Sequence, residues 1–133
     1  MAGERDLDAL LRNVKPERQE GVFVFCAIAQ GEQIPAAVDP LLTFREREGT
    51  TLVMRREEAE SAGLSYEFPS RLITLGVHSS LQAVGLLAAI AAPLAEAGIS
   101  VNAVSAFYHD HLFVPDHRAD EALALLKNMS GAK

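Results

Sequence analysis

Apolar residues recur along this chain with two periods, and the change from one to the other marks out its elements. Leu7, Leu10, Leu11 and Val14 lie three and four apart, as on one face of a helix, and Pro16 ends that pattern. Residues 21–28, GVFVFCAI, are apolar without interruption and predict a strand covered on both faces. AQGEQIPAAVDP follows, and its Gly31, Pro35 and Pro40 predict a loop. In LLTFREREGTTLVMRR, Leu42, Phe44 and Glu46 alternate with Thr43, Arg45 and Arg47. That alternation predicts a hairpin turning in REREG and returning over Thr51 to Met54. REEAESAGL predicts a short helix closed by Gly63.

The second half is more regular. RLITLGV predicts a strand with Ile73, Leu75 and Val77 on one face. HSSLQAVGLLAAIAAPLAEAG predicts a helix capped by Ser79 or Ser80 and stopped at Gly98. Its expected stripe is Val84, Leu87, Ala91, Leu94 and Ala95, and Pro93 should bend it without ending it. ISVNAVSAF and HLFVP predict two strands joined by a turn at YHD. DHRADEALALLKNM predicts a last helix, capped by Asp116, with Ala119, Ala122, Leu123, Leu126 and Met129 facing inward. Strand, helix, strand, strand, helix is a ferredoxin-like unit without its final strand. An uncovered edge is a liability, so residues 21–28 or a partner chain should cover it.

Composition narrows the function classes. The chain has 133 residues, 49% of them apolar, enough for a packed core. A net charge of -6 argues against nucleic acid and against an anionic membrane surface. The apolar stretch from Leu81 to Leu94 is too short to span a bilayer. The lone Cys26, within an apolar run, reads as a small buried hydrophobe and suits a reducing cytoplasm. Residues 1–15 are charged, unlike a secretory signal, so the expected location is the cytoplasm.

Candidate chemistry is sparse. YHDHLFVP carries His109 and His111 around Asp110, but two histidines and one carboxylate fall short of a structural zinc set. They read as solvent-exposed residues of a tight turn, with His78 and His117 elsewhere. The acidic clusters Glu46–Glu48 and Glu57–Glu60 read as solvated surface. There is no phosphate-binding glycine motif, no CxxC and no nucleophile elbow. No catalytic residue, metal or cofactor is therefore expected.

HSSLQAVG is the more promising constellation, because it joins a strand to a helix N-terminus. The first N–H groups of a helix have no intrahelical partner and favour an anion. A ligand carboxylate is expected against the backbone of Val84 to Leu86, beside Leu81, with Ser79 or Ser80 adjacent. Gly85, read as lying inside the helix, would let the ligand approach, and Asn102 would meet an ammonium group. The plainer alternative is that Ser80 caps the helix, Gly85 aids packing and Asn102 satisfies nearby backbone.

Residues 78–115, with VGLLA, PLAEAGISVNAVS and the turn into LFVP, resemble the ACT domain, in particular bacterial tandem-ACT proteins related to aspartate-kinase regulatory regions. Residues 20–68 resemble the degenerate first module of such proteins, with a proline-containing loop where a helix would stand. The resemblance implies an α+β fold: two ferredoxin-like modules, 1–68 and 69–133, side by side, the sheet mainly antiparallel and helices on one face. It implies a non-catalytic regulatory module that binds a small molecule, usually an amino acid, and acts on another protein such as a regulated enzyme. A purely structural interaction module and a small metal-dependent enzyme using the histidines are the other two expectations. The apolar residues Leu81, Leu86, Leu87 and Ile90 exceed what one short sheet covers and point to a homodimer.

Overall fold

The computed structural model describes residues 6–78 and 80–129. They belong to two compact units, one of residues 21–70 and one of residues 1–20 with 71–133.

The 21–70 unit contains β2 (Phe23–Ala29), β3 (Leu42–Arg45), β4 (Gly49–Arg55), α2 (Arg56–Ser61) and the first part of β5 (Glu67–Leu75). Strand order is β3-β4-β2-β5, with antiparallel neighbours. Cys26 lies opposite Leu52, and Phe44 opposite Thr51. Val24, Cys26, Ile28, Leu52 and Met54 form one core with Ala59 of α2. Burial pushes the Cys26 thiol pKa up, which keeps the sulfur protonated and inert near neutral pH. The expectation that residues 21–28 are covered on both faces is corrected: Phe25 is half-buried and Ala27 exposed. Alanine lengthens an apolar run without requiring a second covered face. Residues 30–41 form neither helix nor strand.

The other unit contains α1 (Leu7–Arg12), β1 (Pro16–Arg18), the second part of β5, α3 (Leu86–Glu96), β6 (Asn102–Ser105), β7 (Asp110–Pro115), a 3-10 turn (Asp116–Arg118) and α4 (Ala119–Met129). Its strands run β6-β7-β5-β1. The expected missing strand is thus supplied from the N-terminal segment. Glu17 pairs with Thr74, and further bonds run from Gln19 N–H to Leu72 O and from Gly76 N–H to Lys15 O. For Arg71–Leu75 this corrects the proposed cover by residues 21–28, whose pairing with β5 is at Glu67 and Ser70.

The core of this unit joins Leu10 and Val14 to Ile73, Leu75, Leu86, Ile90, Leu94, Leu112, Val114, Ala122 and Leu126. The inward row of α3 is Leu86, Ile90 and Leu94, spaced by four. Of the expected stripe only Leu94 is buried: Leu87 and Ala91 are half-buried, Ala95 is exposed, and Val84 precedes the helix, which starts five residues later than the apolar run suggests. Val84 is 82% exposed. Pro93 lies inside α3, which continues to Glu96 as expected. Arg118 donates from its guanidinium to the carbonyls of Ala97 and Gly98, placing positive charge at the C-terminal end of α3. Asp116 does not cap α4; it opens the 3-10 turn, and its carboxylate lies 3.8 Å from the Arg71 guanidinium. Among the described residues no helix is long and apolar enough to cross a membrane.

Candidate functional site

Residues 76–85 join β5 to α3 through turns. The expectation that Ser80 caps the helix is corrected: its Oγ accepts the Gln82 N–H at 3.0 Å, while its carbonyl accepts that of Ala83 at 2.9 Å. Its local bonds hold a turn in place. Gly85 precedes the helix at φ 90°, ψ -10°. This corrects its placement inside the helix, and a left-handed backbone there favours glycine over any side chain. The first helical bond at this end runs from Ala89 N–H to Gly85 O at 2.9 Å. The N–H groups of Leu86, Leu87 and Ala88 come before it and have no partner four residues back.

Beside them lies a cavity of about 170 Å³. Ser80, Leu81, Gly85, Leu86, Leu87 and Ala88 form one side. Ser105, Ala106 and Asp110, from the β6–β7 hairpin, form the other. Ser105 and Asp110 are directly paired across that hairpin. Of the expected site residues, Ser80, Leu81, Gly85 and Leu86 line this cavity. Val84 and Asn102 are not among its lining residues, and Ser79 lies outside the described residues.

Asp110 was expected at the turn tip. The turn is instead Ala106–His109, closed by Ala106 N–H to His109 O at 3.0 Å, and Asp110 begins β7. It is 6% exposed. The signal was present in the sequence: Asp110, Leu112 and Val114 share strand parity, so the carboxylate takes the buried face and the two histidines the opposite one.

The histidines are not solvent-exposed turn residues either. His109 and His111 are half-buried. His109 Nδ1 lies 3.3 Å from Val77 O, and His111 Nδ1 lies 3.0 Å from Thr74 Oγ1. Since a carbonyl only accepts, His109 carries its proton on Nδ1. His78 also reaches this group, 6.4 Å from His109 and 5.7 Å from Tyr108 between ring centres. Among the described residues, no group of three or more His, Cys, Asp or Glu is placed to hold a metal ion.

Burial lowers the His111 pKa, His109 lowers it further, and Asp110 opposes both. The folded chain therefore binds fewer protons at His111 than the unfolded chain, whose value is about 6.5. The stability from this site is complete above that pH and falls as acidification proceeds toward the folded value. Urea midpoints should drop between neutral and mildly acidic pH, and His111→Gln should flatten that part of the profile. An unchanged slope in the variant would remove His111 as its source.

The comparisons with known proteins agree with this architecture. A protein of unknown function from Vibrio cholerae, described as a possible transport protein, is 44% identical, with a TM-score of 0.84. That match covers 93% of this chain and 95% of the other. A structure of aspartokinase alpha and beta subunits is 12% identical, with a TM-score of 0.64, over 88% of this chain and 97% of that one. Aspartate kinase from Clostridium acetobutylicum, described as an allosteric enzyme, is 10% identical, with a TM-score of 0.61. The match spans 86% of this chain and 33% of the kinase. These last two show shared fold alone. No curated protein matches the chain. ACT-domain family models match residues 2–71 and 67–128 in tandem, so the chain belongs to the ACT-domain family, whose members are regulatory, small-molecule-binding modules.

Proposed function

We propose that this chain is a non-catalytic regulatory module that binds a free amino acid in the cavity at the start of α3. The observation that carries the reading is the pairing of opposite polarities across one small space. The helix N–H groups of Leu86, Leu87 and Ala88 favour a carboxylate. Asp110, in the same lining, brings a carboxylate that can accept from an ammonium group beside the contact it already makes within the chain. Asp110 takes the part first given to Asn102, and the anion end moves from Val84–Leu86 to Leu86–Ala88 with the helix start. Ser80, Leu81, Gly85 and Leu86 keep their places in the proposed site.

A thermal-shift panel of free amino acids tests this. A ligand at a hundred times its Kd adds about 2.7 kcal/mol, several degrees in a domain of this size. One amino acid or a related group should raise the midpoint. A flat panel at millimolar concentrations would leave a structural interaction module as the reading.

The proposed sequence modules remain 1–68 and 69–133, although residues 6–20 pack in the compact unit of residues 71–129 and residues 16–18 pair with β5 there. A homodimer is part of the proposal. The surface that first suggested it is reduced, since Leu86 and Ile90 are buried within their own unit. The outer edge strand β6 takes its place. Residues 99–107 carry no charge and no proline, whereas β1 holds Pro16, Glu17 and Arg18 and β3 ends in Arg45. Charges and proline blunt an edge against pairing, and β6 has neither. Two copies pairing antiparallel through β6 make a closed two-fold contact. Sedimentation at tens of micromolar chain should give a dimer, and Ala103→Lys should return it to monomer. A native monomer at that concentration would sink the pairing. The regulated partner is proposed to be an enzyme of the reducing cytoplasm, where one buried free thiol is at home.

A further inference from the structure

The histidines of the β6–β7 hairpin take no part in the cavity or in the function proposed for it. Asp110, Leu112 and Val114 take the buried side of β7, and His109 and His111 share the other side. We infer that His109 and His111 form a two-point chelate for a divalent transition ion that favours imidazole (Zn2+, Ni2+ or Cu2+), bound through their Nε2 atoms with water in the remaining positions. What singles the pair out is that each Nδ1 is already held. His109 Nδ1 donates to Val77 O at 3.3 Å, and His111 Nδ1 lies 3.0 Å from Thr74 Oγ1. A ligating imidazole ordinarily gives its second nitrogen to an oxygen partner in this way, which fixes the ring and leaves the other lone pair for the metal. The Val77 carbonyl only accepts, so His109 Nε2 keeps its lone pair. The Thr74 hydroxyl can accept as well as donate, so His111 takes the same tautomer when a metal holds its Nε2.

The two ring centres are 6.3 Å apart, with the rings nearly perpendicular at 89°. Zinc–nitrogen bonds of about 2.0–2.1 Å in a tetrahedral arrangement put two ring centres about 5 Å apart, so binding closes the pair by about 1 Å. His109, whose anchor is the longer of the two, is the ring that moves. Two protein ligands fall short of the closed set that a structural zinc needs, and among the described residues no group of three is placed to hold an ion. The site is therefore open and exchangeable, and the fold does not depend on it. Imidazole selects these ions over magnesium and calcium, which take oxygen ligands.

Calorimetric titration of the untagged native chain with Ni2+ alone should show a single saturable site. His109→Ala and His111→Ala should each weaken it roughly 100-fold, the loss expected when a chelate becomes a single point of attachment. Thr74→Val, which keeps both ligands and removes one anchor, should weaken it about 10-fold. His117→Ala, in the 3-10 turn, should bind as the native chain does. Millimolar magnesium should leave the titration unchanged. Electron paramagnetic resonance of the native chain with Cu2+ should show at least two coupled imidazole nitrogens. That measurement needs no variant, so a misfolded substitution leaves the test intact. No binding at millimolar Ni2+, fewer than two coupled nitrogens, displacement by magnesium, or native affinity after loss of either histidine would each overturn the inference. Native affinity in Thr74→Val would overturn the part given to the anchors.

Discussion

A chain truncated to begin at Gly21 is expected to lose the fold of residues 71–129. The N-terminal segment is structural for that unit. Leu10 and Val14 are 0% and 1% exposed, and Leu7 and Leu11 pack against the same core. Full burial of such a side chain is worth about 1.5–3 kcal/mol, so the first two alone contribute about 3–6 kcal/mol. Removing β1 also strips its pairing from Ile73–Leu75 and reopens a sheet edge along the last residues of β5. Set against a total of about 5–15 kcal/mol for a typical domain, that loss is enough to unfold the unit. Hydrogen exchange should show protection in the second part of β5 and in β7 falling to the level of unfolded chain. Residues 6–20 fused after Lys133 through a flexible linker should restore it. Native-like protection in the truncated chain would refute the structural role.

The second large effect is expected at Gly49. A Cβ there would lie 2.3 Å from the carbonyl oxygen of Ile28 and 3.3 Å from its carbon. Both are backbone atoms of the paired strand, so no side chain can swing aside. Its φ of 157° is also rare for residues with a side chain. Gly49 closes the turn from Glu46, with bonds of 2.8 and 3.3 Å, and pairs with Ala29 at the end of the β2–β4 ladder. Gly49→Val must therefore push the hairpin away from β2 or open its turn. Overpacking at about 1–3 kcal/mol and backbone strain of about 1–3 kcal/mol give a loss of roughly 2–6 kcal/mol. The unfolding free energy from urea titration should fall by that amount, through a lower midpoint with little change in slope. Gly31 is the useful comparison, since a Cβ there meets no atom within 4 Å. A Gly49→Val chain as stable as the native protein would mean that the hairpin end yields at no cost.

Periodicity carried most of the elements. Leu7, Leu10, Leu11 and Val14 are spaced for one helix face, and that face is the one buried, because a six-residue helix is stable only where it packs. The 42–55 hairpin, the stop of α3 at Gly98 and the inward row of α4 were legible for the same reason. The start of α3 was not. LQAVGLLAAI reads as one apolar helix, but Gly85 adopts a left-handed backbone and the preceding residues turn around Ser80. Local propensity does not separate a helix from a turn leading into one when both are apolar.

The site shows the same division. Sequence placed Ser80, Leu81, Gly85 and Leu86 together because they are neighbours on the chain, and the cavity keeps them together. Asp110, Ser105 and Ala106 reach it from a hairpin about twenty residues farther on, where turn composition drew attention to the histidines. The shared parity of Asp110, Leu112 and Val114 was legible, but the pairing of β6 with β7 fixes which residue begins the return strand and so which parity faces inward. The missing final strand of the second module was likewise legible only as an absence. That Pro16–Arg18 fills it was decided by tertiary structure, because strand pairing joins residues more than fifty positions apart through backbone groups common to every residue type.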